Sequence, residues 1–218
     1  MHRPFGPDDA KRFYDRFGTL QDAQIYERAA LRRLVATSAF EQASAIFELG
    51  CGTGRLASQL LEERLGEGAR YVGVDVSATM VSIASRRLAR WGERIKVSRV
   101  DGTASLPYAD ASFDRFVATY VFDVFPDATI AVVMREAHRL LMRDGKLCVV
   151  ASTEGVGPIS RMVSGAWKRL YEMNPSLVGG CRPSHMRARI DDRAWSVEHT
   201  EVITSWGIAS EVLVARRM

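Results

Sequence analysis

Glu48-Leu49-Gly50-Cys51-Gly52-Thr53-Gly54 is the stretch on which the fold of this chain turns. Ahead of it, Ala45–Leu49 is a short apolar run of strand character. Behind it, residues 55–65 put Leu56, Leu60 and Leu61 on one helical face. Glycines at 50, 52 and 54 let the backbone turn sharply from strand to helix and let a ligand approach the main-chain amides. Such a turn needs glycine whatever it binds. The loop alone therefore predicts local structure and leaves the ligand open.

The same alternation continues downstream. Residues 70–74 read as a second strand ending on Asp75, and Ser77 caps a helix over 78–91. Strands follow at 95–100 and 113–119, then an amphipathic helix at 130–141, and the Asp144-Gly145 turn leads into a fifth strand at 146–151. Upstream, Asp8 can cap a helix ending at Gly18, and a second helix spans 21–37. After the fifth strand the alternation stops. Residues 153–192 hold Pro158, Pro175, Gly179, Gly180 and Pro183 around one helix at 159–173. Two β-rich runs, 196–204 and 209–215, flank Trp206-Gly207 as an antiparallel hairpin. The expected architecture is α/β: a mostly parallel seven-stranded sheet between helices, closed by a C-terminal antiparallel hairpin. All 218 residues form one expected domain, with an N-terminal helical cap (1–40), a core (45–152), a lid insertion (153–192) and the hairpin (193–218).

Apolar residues make up 47% and charged residues 26% of the chain, an ordinary globular balance. The net charge of +4 comes from basic residues, almost all arginine, spread from Arg3 to Arg217, which reads as a solvated surface and not a nucleic-acid footprint. Cys51, Cys148 and Cys181 are too few and scattered for a disulfide framework, and His2, His138, His185 and His199 lack metal-ligand spacing, so no metal is expected. The N-terminus has no apolar signal-like run, and no stretch reaches the roughly 20 apolar residues of a membrane span. These features predict a cytoplasmic protein able to make at most peripheral membrane contact.

Three acids lie at predicted strand ends: Glu48, Asp75 (21 residues after Gly54) and Asp101, which Gly102 follows. Open α/β sheets bind ligands at that rim, and an acid at the end of the second strand can accept the hydroxyls of a ribose. Gly50-x-Gly52-x-Gly54 lacks the third glycine of the dinucleotide fingerprint. A carboxylate two residues before the first glycine suits a cation better than a pyrophosphate. This favours a cationic methyl donor over NAD.

Phe47–Gly54, Val72-Gly73-Val74-Asp75-Val76-Ser77, Asp101-Gly102, Ser112-Phe113-Asp114 and the run 140–146 together resemble the class I S-adenosyl-L-methionine-dependent methyltransferases, over about residues 45–152. The resemblance implies a three-layer Rossmann-like fold, S-adenosyl-L-methionine as cofactor and S-adenosyl-L-homocysteine as product. It also implies a role for each motif residue. Glu48 would neighbour the methionine ammonium across Gly50, Gly52 and Gly54. Asp75 would hold the ribose, Val76 would pack on the adenine, and Asp101 with Gly102 would bind the adenine edge. Thr119 and Tyr120 would touch the methionine end. Tyr14, in a Tyr-Asp segment similar to that of quinone-type and phospholipid-type members, would cover it.

Methyl transfer needs alignment and exclusion of water more than acid–base groups. Asp123 is the one candidate base, with a turn or capping role as the competing reading, and Tyr120 is the second candidate at the reacting end. The Asn/Asp-Pro-Pro-aromatic signature of nucleic-acid amino-methylating enzymes is missing after the fourth strand. The lid is basic and amphipathic, with Arg161, Lys168 and Arg169 beside Met162, Trp167 and Tyr171. The expected acceptor is a small or lipid-like molecule. An RNA or protein methyltransferase and a non-catalytic S-adenosylmethionine-binding protein are the alternatives.

Overall fold

The computed structural model describes residues 26–103, 105–173 and 181–218. The expected helix near residues 8–17, with Tyr14, lies outside them. In chain order the elements are α1 (Glu27–Thr37), β1 (Ala45–Leu49), α2 (Arg55–Glu63), β2 (Arg70–Asp75), α3 (Ala78–Leu88), β3 (Ile95–Arg99) and β4 (Phe113–Thr119). They continue with α4 (Asp127–Leu140), β5 (Leu141–Ser152), α5 (Pro158–Met173), β6 (Trp195–Ser205) and β7 (Ile208–Arg217). All seven strands join one sheet in the order β3-β2-β1-β4-β5-β7-β6. The first five strands pair in parallel, and β7 is antiparallel to both β5 and β6.

Period-two patterning places the core on both faces of the sheet. Phe47, Leu49, Phe116, Ala118, Leu147 and Val149 point to the α4 side, where Ile130, Val133 and Ala137 meet them. Ile46, Tyr71, Val117, Cys148 and Val150 point the other way, onto Leu34 of α1 and Leu56, Ala57 and Leu60 of α2. This is the expected three-layer Rossmann-like sandwich.

Local departures from the expected elements have local causes. The Ser77 side chain does cap α3, accepting from the Met80 amide at 3.2 Å. The expected helix to residue 91 instead ends at Leu88 and continues as a 3-10 turn, because Gly92 adopts φ 57°, ψ −132°. β3 stops at Arg99, so Asp101 sits two residues beyond the strand and does not end it. β5 starts earlier than expected, at Leu141. Phe113 pairs with Leu141 and Arg115 with Lys146, so residues 142–145 bulge out with Asp144 at φ 64°.

Candidate cofactor-binding site

β1 runs between β2 and β4, so the chain leaves it at the point where strand order reverses, the crevice that open α/β sheets use for ligands. Gly50, Gly52 and Gly54 all take positive φ (67°, 52° and 73°), a region open to glycine without steric cost. The Gly50 and Cys51 amides donate to the Val74 carbonyl at 2.8 and 3.0 Å, lashing the loop to the end of β2. A Cβ on Gly50 would stand 2.3 Å from Val121 Cγ2, and one on Gly54 would stand 3.1 Å from Ala84 Cβ. The first glycine thus lets the loop after β1 touch the loop after β4. The third lets α2 close onto α3.

The acids behave differently from one another. Asp75 is nearly buried; its Oδ2 accepts the Gly52 amide at 3.0 Å and its Oδ1 the Ser77 amide at 2.9 Å. The expected ribose ligand is therefore also a brace for the glycine loop. Glu48 is sealed beneath that loop at 2% exposure, and the Tyr71 hydroxyl donates to its Oε2 at 2.5 Å. Burial pushes the Glu48 carboxyl up to about 8; the Tyr71 bond pulls it down and the Asp75 charge pushes it up further. Asp101 is exposed and accepts the Thr103 amide and hydroxyl at 2.9 and 2.7 Å, bonds that hold its carboxyl below the ordinary value. Gly102 follows at φ 84°, and Val76 lies in the turn between β2 and α3 with its carbonyl bonded by Arg99 Nε at 3.2 Å.

The loop after β4 supplies the other wall. Thr119 ends the strand, and Tyr120 takes φ 56°, unusual for a non-glycine residue, while its amide donates to the Val150 carbonyl at 2.7 Å. The Tyr120 hydroxyl bonds Ser210 Oγ at 2.9 Å, and the Tyr26 ring meets it edge-on at 6.0 Å; burial raises the Tyr120 phenol above its ordinary range.

Asp123 lies in the 3-10 turn Phe122–Val124 and is fully buried. Its two oxygens accept the Ser152 amide at 3.0 and 2.9 Å, and its Oδ1 also accepts the Ser184 hydroxyl at 3.0 Å. Burial raises its carboxyl to about 6 against those bonds and the nearby Arg182 charge. The capping reading does not hold, because Pro126 precedes α4. Asp123 stitches the segment around residues 182–184 to the end of β5, helped by the Arg182 amide on its own carbonyl and the Ser184 amide on the Ser152 carbonyl, both at 3.0 Å.

Tyr71, Tyr26, Ser152, Ser184 and Ser210 were not singled out from the sequence. Each acts through a partner on another strand or loop. Among the described residues, no group of His, Cys, Asp and Glu could hold a metal ion, and no helix is long and apolar enough to cross a membrane.

Fold and loop together define a doubly wound α/β protein whose glycine loop lies at the β1/β4 switch point, where such sheets bind ligands. Residues 46–145 match the family described as "Methyltransferase domain". The match covers just under half of the chain and falls on the motifs that resemble the class I S-adenosyl-L-methionine-dependent methyltransferases.

Among its relatives, the demethylmenaquinone methyltransferase of Lactobacillus johnsonii is 26% identical over 154 residues, covering 70% of this chain and 58% of the relative. The tRNA N(3)-methylcytidine methyltransferase Mettl2 of Drosophila melanogaster is 28% identical over 150 residues, covering 64% and 46%. The chain thus spans about half the length of the curated relatives it matches. The N-methyltransferase NodS from Bradyrhizobium japonicum, solved with S-adenosyl-L-homocysteine, superposes with a TM-score of 0.74 at 17% identity, covering 96% of this chain and 99% of NodS. The [4+2]-cyclase SpnF also superposes at 0.74, with 15% identity and coverage of 100% and 99%. Likeness at that level carries the fold alone.

Proposed function

We propose that this chain transfers a methyl group from S-adenosyl-L-methionine to a small-molecule or lipid-like acceptor by direct in-line displacement, releasing S-adenosyl-L-homocysteine. The observation that carries this reading is the contact of the glycine loop with the post-β4 loop at the switch point, where Gly50 has no room for a Cβ beside Val121. That cradle suits a ligand held against backbone. Glu48 and Asp75 beneath it suit a ligand with positive charge and a ribose. When bound, the cofactor supplies a methyl carbon on a cationic sulfur, which the acceptor attacks as the carbon–sulfur bond breaks.

The chain's own residues bind and orient. Asp75 takes the ribose hydroxyls while keeping Gly52 in place, Val76 packs against the adenine, and Asp101 with Gly102 meets the adenine edge. Thr119 and Tyr120 line the methionine end, and Tyr14 covers it in the reading carried over from the family. For Asp123 the geometry favours positioning over proton transfer. Its carboxylate is occupied by Ser152 and Ser184, and a base must reach the proton it takes.

The small-molecule reading is supported by the demethylmenaquinone relative and by basic residues spread along the sequence from Arg3 to Arg217; the tRNA relative supports the alternative. The deciding experiment incubates the protein and methyl-labelled cofactor with a metabolite extract, a lipid extract and total RNA. Label in the metabolite or lipid fraction is the expected result. Label in RNA would move the acceptor to the alternative, and cofactor binding without transfer to any pool would make the chain a non-catalytic binder.

A further inference from the structure

Glu48 is reached from a neighbouring strand by the hydroxyl of Tyr71, whose ring packs in the core on the α1/α2 side of the sheet. Ile46 pairs with Tyr71 and Glu48 with Gly73 across β1 and β2, so the Tyr71 ring must run two residues along β2 to meet the carboxylate. Gly73 makes the path. A Cβ there would stand 2.7 Å from the Tyr71 hydroxyl and 2.9 Å from its Cε1, with Cys51 Cβ at 3.0 Å on the other side. Tyr71 and Glu48 are 1% and 2% exposed, so their 2.5 Å bond is shielded from water. Around them, α1 and α2 present apolar Leu34, Leu56 and Leu60. Among the described residues, the titratable groups acting on this pocket are Tyr71, Cys51 and Asp75.

The geometry points to Tyr71 as a positioning residue for cofactor binding: its hydroxyl holds Glu48 beneath the glycine loop and favours the carboxylate form that answers the positive charge of the ligand once it is bound. The inference rests on the proposed cofactor and adds to it a residue outside the glycine loop and the strand-end acids. A charge-stabilising hydrogen bond favours the ionised carboxyl, so removing it makes Glu48 harder to ionise. A bound cation has the opposite effect, and the proton leaves to the buffer as the ligand arrives. Cofactor affinity therefore rises with pH over a window that the Tyr71 hydroxyl sets.

Tyr71→Phe removes only the hydroxyl and keeps the ring over Gly73. Calorimetric titration of S-adenosyl-L-methionine from pH 5.5 to 9.5, on wild type and Tyr71→Phe, gives an affinity ratio in which the ligand's own titration cancels. The expected ratio is near one at both ends and roughly tenfold in favour of wild type near neutrality, since one pKa unit is a factor of ten. A purely structural role gives a ratio that does not change with pH, and that result overturns the inference. On a Glu48→Gln background the Tyr71→Phe change has no pH-dependent effect; a persisting bell-shaped ratio there would also overturn it. Failure of the wild type to bind the cofactor at any pH would defeat the proposed function itself and is read separately.

Discussion

A methyl group on Gly50 meets two obstacles at once: Val121 Cγ2 at 2.3 Å and a φ of 67° that L-residues rarely adopt. Gly50→Ala should therefore displace the loop and weaken cofactor binding at least tenfold by calorimetry. The control, Gly68→Ala, has nothing within 4 Å of the new Cβ and no left-handed φ; it should leave binding unchanged and alter stability by less than about 1 kcal/mol. Glu48 makes a second prediction. Its carboxyl titrates at about 8 in the folded protein against an ordinary 4.5. Between those values the native state holds a proton that the unfolded chain has lost, so its contribution is fullest below 4.5 and fades as pH rises to about 8. Asp123, raised from 3.8 to about 6, adds a loss of the same sign in a lower window. Urea unfolding of the ligand-free protein at pH 6.5 and 8 should show falling stability in wild type and a flatter response in Glu48→Gln. Equal slopes would contradict the assignment. At this scale the sequence was half legible. Glycine spacing announced the loop, but nothing in it announced Tyr71, whose link to Glu48 depends on strand register and on the gap at Gly73.

Strands and helices were the most legible level, because period-two runs and Leu56/Leu60/Leu61 spacing reflect burial directly. The misreadings came where backbone geometry intervenes: Gly92 breaks the third helix, and the 142–145 bulge lengthens β5. The segment around residues 182–184 was legible only as part of an insertion, since its anchors lie on other elements. Removing one anchor has a defined cost. Asp123→Ala leaves the Ser152 amide and Ser184 hydroxyl without their acceptor, each such group costing about 1–3 kcal/mol. A drop in melting temperature of roughly 4–24 °C follows for a chain of this size. Asp123→Asn keeps an acceptor for Ser152 and can still bond Ser184, so a positioning role predicts near-normal methyl transfer. A loss of a hundredfold or more in a folded Asp123→Asn protein would make Asp123 the base. The β6–β7 hairpin offers a test of opposite sign. Trp206, 82% exposed, occupies a two-residue turn at φ 54° beside Gly207 at φ 81°, where asparagine is favoured. Trp206→Asn should raise stability by roughly 1 kcal/mol, read as a gain of a few degrees in melting temperature.

For the molecule as a whole, sheet order converts these local features into one site. β1 has β2 on one side and β4 on the other, so the segments after these three strands open onto the same rim. The glycine loop hangs from β2 through the Val74 carbonyl and Asp75, and abuts the post-β4 loop at Val121. A ligand held there must brace three connections that are adjacent in space and distant in sequence. Its binding should stabilise the fold globally while protecting backbone locally. At a hundredfold excess over the dissociation constant, a ligand specific for the folded state adds about 2.7 kcal/mol. S-adenosyl-L-homocysteine should then raise the wild-type melting temperature by roughly 5–11 °C, and that of Gly50→Ala by far less at the same concentration. Hydrogen exchange locates the effect. Slower exchange is expected at residues 50–54, 75–77 and 119–124, with no change at the 205–208 turn or the 142–145 bulge. Protection spread evenly over the sheet would mean that stabilisation arises away from the switch point. Protection confined to the three connections would tie the glycine loop, the Asp75 brace and the post-β4 wall into one binding unit.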